Sequence, residues 1–96
     1  MEWEEIAATY AEDGDVRGVL RNYIKAKKQA PKDVLIRCGD NAVLRKRYED
    51  AIKAYQYAPS KPKLRALRKH LIDTDNPIRA EKVSAILVQM TSDKYR

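Results

Sequence analysis

Laid upon itself at an offset of 32 residues, the 96-residue chain repeats its apolar positions, and its length holds that interval three times. Trp3 falls on Leu35 and Leu67, Ile6 on Cys38 and His70, and Ala7 on Gly39 and Leu71. In the second half of each segment Val16 meets Tyr48 and Ala80, Val19 meets Ala51 and Val83, Tyr23 meets Tyr55 and Leu87, and Ala26 meets Ala58 and Met90. A repeat of this length is one supersecondary unit, too small to bury its own apolar stripe, so copies must stack to make a core. Three such units, near 1–31, 32–62 and 63–96, are expected to form one domain.

Within each unit the apolar residues follow helical spacing. Leu35, Cys38, Gly39 and Ala42, then Tyr48, Ala51, Tyr55 and Ala58, are separated by steps that put each set on one helix face. The supply of Ala, Leu, Lys, Arg and Glu, with few β-branched residues, favours helix over strand. Short polar stretches divide the sets: Glu12-Asp13-Gly14-Asp15, Arg45-Lys46-Arg47 and Asp73-Thr74-Asp75-Asn76. The fold class is therefore all-α, a stack of antiparallel helical hairpins. Helices are predicted near 2–12, 15–29, 33–46, 48–58, 62–72 and 77–91. Asp15 and Asn76 suit N-caps, Pro77 suits a first helical position, and Asp33 is placed to cap the helix after Pro31.

Charge is unevenly distributed. Residues 1–15 hold six acids (Glu2, Glu4, Glu5, Glu12, Asp13, Asp15) and no base, while the whole chain is +6, leaving the remainder at +12. Such polarity serves solubility, steers the chain toward an acidic partner, or lets an acidic head dock on the basic tail of a second copy. A single cysteine makes no intramolecular disulfide, and one Cys with one His does not complete a four-ligand zinc site. The first residues lack the basic start and apolar run of a secretory signal, and no segment has the apolar length of a membrane span. A cytoplasmic location without membrane contact is expected.

Trp3, Ile6, Ala7, Tyr10, Gly14, Val16, Val19, Tyr23, Ala26 and Pro31 resemble a full tetratricopeptide repeat. Leu35, Cys38, Gly39, Tyr48, Ala51, Tyr55 and Ala58 resemble a second copy, and Leu67, Leu71, Ala80, Val83, Leu87 and Met90 a degenerate third. The interval is two residues below the family's usual 34, with the deletion in the loop between units. Helical hairpin arrays of other kinds share the pattern. The resemblance implies a right-handed superhelix of six helices, with the first helix of each unit lining a concave surface that takes a peptide or helix of a partner protein. Carried over position by position, the groove residues are Glu4, Ala8 and Ala11, then Ile36, Arg37, Asp40 and Val43, then Arg65, Arg68 and Lys69. Some members of the family hold a peptide's terminal carboxylate between Lys and Asn residues. Glu4, Glu5 and Ala8 occupy those places here, so that specificity is not expected.

Two further readings come from the residues themselves. Arg17, Arg21, Lys25 and Lys28 form a stripe along the second helix, and Arg45-Lys46-Arg47 adds a cluster, which together would match a row of phosphates. The tyrosines needed to stack bases stand mostly at repeat-core positions, so nucleic-acid binding is the alternative rather than the principal expectation. On the last helix Val83, Ile86, Leu87, Val88 and Met90 cover more than one face. Something should shield them: the tail with Tyr95, further repeats, or a second copy of the chain. Catalysis is not expected. Cys38 is the only thiol and His70 the only imidazole, and no glycine-rich phosphate loop, metal-ligand spacing or paired carboxylates accompany them. No cofactor is implied.

Overall fold

The computed structural model describes residues 2–93. Among them it contains no strand and six helices: α1 (Trp3–Glu12), α2 (Val16–Lys25), α3 (Lys32–Leu44), α4 (Tyr48–Tyr57), α5 (Lys61–Asp73) and α6 (Pro77–Asp93). The chain divides into two compact units, residues 1–59 and 60–96. In the first, the α1–α2 hairpin packs on the α3–α4 hairpin through α1 against α3, and α2 against α3 and α4. The second is the single hairpin α5–α6.

The helix ends follow from backbone chemistry. A helix leaves its last carbonyls without intrahelical donors, and a residue in the left-handed region lets the next amides turn back to satisfy them. Gly14 (φ 71°), Lys27 (φ 57°), Lys46 (φ 59°) and Asp75 (φ 61°) do this after α1, α2, α3 and α5. At each, the following amide reaches five residues back: Asp15 to Tyr10, Lys28 to Tyr23, Arg47 to Ala42 and Asn76 to Leu71, over 2.7–3.0 Å. The turn at Lys27 ends α2 at Lys25, four residues before the predicted limit of 29.

Helix starts agree only in part with the sequence reading. Asp15 caps α2, its Oδ1 accepting the Gly18 N–H at 3.1 Å. Asn76 precedes Pro77, the first residue of α6, and its Oδ1 accepts from Arg79 Nη1 at 3.3 Å. Asp33 does not cap α3. Pro31 stands at that position and Asp33 lies inside the first turn, where its carboxylate still favours the helix dipole. Ser60, not among the expected caps, caps α5 by accepting the Lys63 N–H at 3.4 Å.

The repeat interval needs correction in the third hairpin. The left-handed turn residues Gly14 and Lys46 are 32 apart, but Lys46 and Asp75 are 29 apart. The shortening lies in the link between hairpins, which is six residues from α2 to α3 and three from α4 to α5. In the true register Leu64, Leu67 and Leu71 correspond to Leu35, Cys38 and Ala42, and all six are buried. The first helices of the second and third hairpins thus bury matching positions. His70, half-buried, corresponds to Asn41 rather than to Cys38.

In the first unit Ala7, Ala11, Val16, Val19, Tyr23, Leu35, Cys38, Ala54 and Ala58 form a core, with Tyr10, Leu20, Val34 and Ile36 packed against it. Small residues let the helices approach. At Gly39 an added Cβ would collide with the Tyr55 ring, and at Gly14 it would lie 2.7 Å from the Ala42 backbone.

A polar seam joins the same two hairpins. The last carbonyls of α1 carry its negative dipole end, and donors from the second hairpin meet them. Asn41 Nδ2 donates to Ala11 O at 3.0 Å, Arg45 Nη2 to Glu12 O at 3.3 Å and Arg47 Nη1 to Asp13 O at 3.5 Å. Glu12 pairs with Arg37 at 3.5 Å, Asp13 with Arg45 at 4.0 Å, and Glu4 with Lys28 at 2.6 Å. Half of the acidic first segment is therefore matched by bases of its own unit.

Candidate functional site

In the first unit α1 and α3 lie side by side, and the residue sizes along their contact leave a depression. Ala8 and Ala11, one turn apart on α1, are too short to fill the space facing Asp33, Val34 and Arg37 of α3. These five residues line a cleft of about 330 Å³. Its apolar lining is two methyls and an isopropyl group, and its polar lining a carboxylate and a guanidinium. Arg37 pairs with Glu12 at 3.5 Å, and both side chains remain well exposed. The Asp33 carboxylate has no ion pair among the described residues and helps to raise the Tyr23 hydroxyl, chiefly lifted by burial, above the usual tyrosine range. A cleft of this composition suits an aliphatic side chain with a polar backbone running past it.

Of the expected groove residues, the α1–α3 cleft gathers Ala8, Ala11 and Arg37. Asp33 and Val34 were missed, although they sit four and three residues before Arg37 and so share its helix face. The other groove candidates of the first unit do other things. Glu4 is bound to Lys28, and that hydrogen bond holds the lysine above its ordinary pKa. Ile36 packs against the core. Asp40 Oδ1 accepts the Tyr55 hydroxyl at 2.5 Å, and burial together with that bond pushes Tyr55 strongly up. Val43 is half-buried and outside the cleft lining.

The second unit has its own depression, about 350 Å³, between α5 and α6. Arg65 and Arg68 line it with Ser84, Leu87, Val88 and Thr91. Lys69 is instead bound to Asp73 at 3.0 Å, one turn along α5. Most of the apolar face expected on the last helix is covered. Val83, Ile86 and Leu87 are buried and Met90 is half-buried, leaving Val88 at 65% exposure. Tyr95 lies outside the described residues.

The basic stripe proposed for phosphates is divided among other tasks. Lys25 Nζ sits 4.8 Å from the centroid of the Trp3 ring, a cation–π contact, and Lys28 holds Glu4. Arg45 and Arg47 meet the carbonyl end of α1. Arg17 and Arg21 are exposed, with no partner among the described residues.

Cys38 is fully buried, and desolvation pushes its thiol up to about 12, so the neutral form persists at physiological pH. Among the described residues no three His, Cys, Asp or Glu side chains converge as metal ligands, and no helix is long and apolar enough to cross a membrane. Comparison with family models, curated proteins and solved structures finds no match to this chain.

Proposed function

We propose that this chain is a non-catalytic protein-interaction module, a cytoplasmic adaptor of tetratricopeptide-like hairpins, and that it holds a peptide or helix of a partner protein between α1 and α3. The observation that carries this reading is the α1–α3 cleft, where Ala8 and Ala11 face Asp33, Val34 and Arg37. Small residues leave room for an incoming side chain, while the carboxylate and guanidinium select among the polar groups that accompany it. Fully buried Cys38 supports a packing role for the thiol rather than a reactive one. The nucleic-acid alternative is weakened because Lys25, Lys28, Arg45 and Arg47 all have partners within the chain.

A photo-crosslinking residue in place of exposed Ala8 tests the proposal, with the same residue at exposed Arg21 as the control. The expected result is one partner captured at position 8, not at position 21, and lost when Arg37→Glu is added. Equal capture at both positions, or capture indifferent to Arg37→Glu, would overturn it.

A further inference from the structure

The cleft between α5 and α6 differs in chemistry from the one between α1 and α3. Arg65 and Arg68 are three residues apart on α5, hence on one face, and the same cleft presents Leu87 and Val88 from α6. Neither arginine has an ion pair or hydrogen bond among the described residues, although Lys69 on the same helix is neutralised by Asp73. Helix α5 contains five Lys and Arg residues and a single acid, Asp73. No acidic side chain lines the depression that holds these two guanidiniums.

Arg17 and Arg21 supply the comparison, being equally free of partners among the described residues but lining neither the α1–α3 nor the α5–α6 cleft. The coincidence of unmatched guanidiniums, a concavity and an aliphatic floor distinguishes the α5–α6 site. A planar guanidinium accepts a carboxylate through two parallel N–H donors, and two of them accept adjacent carboxylates. Thr91 Oγ1 donates to Leu87 O at 3.0 Å, so its hydroxyl offers the cleft only acceptor capacity. The donors left for an anion are the two guanidiniums, which alone carry charge, and the Ser84 hydroxyl.

We propose that the α5–α6 cleft is a second binding site, independent of the α1–α3 groove, that takes an acidic peptide segment of a partner protein, with Arg65 and Arg68 holding its carboxylates and Leu87 and Val88 holding an aliphatic side chain between them.

The test uses the full chain and a fluorescein-labelled peptide of about eight residues, composed of glutamate and leucine, read by anisotropy. Arg65→Glu with Arg68→Glu is expected to weaken binding about tenfold or more, and Arg17→Glu with Arg21→Glu, the same charge change, by no more than about twofold. Val88→Asp, at an exposed position and so tolerated by the fold, should weaken it about fivefold, and a peptide with glutamine for every glutamate should not bind. Circular dichroism checks that each variant stays helical. Equal losses from the two arginine pairs would overturn the proposal in favour of diffuse attraction. So would competition on equal terms by a single-stranded oligonucleotide, or wild-type self-association abolished by the Arg65 and Arg68 changes, which would make a second copy the occupant.

Discussion

Gly39 illustrates how a single missing side chain sets a helix distance. The Tyr55 ring occupies the volume a Cβ would need, so Gly39→Ala forces two fully packed helices apart. Urea denaturation should show a loss of about 1–3 kcal/mol, the usual cost of overpacking a core. Cys38, one residue away, is fully buried, and its effect appears at alkaline pH. Burial holds its folded-state pKa at about 12, above the ordinary thiol value of 9.0, so above pH 9 the unfolded chain loses a proton that the folded chain keeps. Stability should therefore fall with rising pH from about 9, by at most about 1.4 kcal/mol per pH unit for this group. Cys38→Ala should flatten that slope between about pH 9 and 10; an unchanged slope would mean that the thiol does not titrate with unfolding. That Cys38 and Gly39 are interior was legible from their spacing with Leu35 and Ala42. The engagement of Asp40 by Tyr55 was not, because it depends on where α4 places a hydroxyl 15 residues away.

At the scale of the helix, the same left-handed turn is made by Gly14, Lys46 and Asp75 inside the three hairpins. For a residue with a Cβ this conformation costs about 1–2 kcal/mol, which glycine escapes. Lys46→Gly should raise stability by about 0.5–1 kcal/mol, allowing for the entropy glycine adds to the unfolded chain. Gly14→Ala should cost more than 1 kcal/mol, since the added methyl also meets the Ala42 backbone 2.7 Å away. Thermal melts of the two variants, moving in opposite directions, check both expectations. Asn41→Leu should cost about 1 kcal/mol by withdrawing the donor from the Ala11 carbonyl. The existence of all six helices followed from apolar spacing. The third register did not, because Leu64, Leu67 and Leu71 repeat at steps that fit an offset of 29 or 32 at several positions, and only the turn at Asp75 decides between them.

For the molecule as a whole, the decisive feature is how charge is partitioned. Read along the chain, the first segment is acidic and the rest basic, which suggests two poles. In the folded first unit Glu4, Glu12 and Asp13 are matched by Lys28, Arg37 and Arg45, so much of that polarity closes on itself. These pairs are solvent-exposed and add little to stability, so their larger effect is to remove cations from any phosphate-binding surface. Of the groove residues that the family resemblance implied, Ala8, Ala11 and Arg37 line the α1–α3 cleft, whereas Arg65 and Arg68 line a different depression, between α5 and α6. The resemblance could not distinguish them from Ile36 and Asp40, because nearness to a groove follows from periodicity but availability depends on what the neighbouring helix already binds. Backbone amide NMR of the full chain, titrated with the partner captured through position 8, tests the account most directly. Shifts concentrated at Ala8, Ala11, Asp33, Val34 and Arg37, with Arg17 and Arg21 unmoved, are predicted; shifts centred on Arg17 and Arg21 with α1 and α3 silent would contradict it.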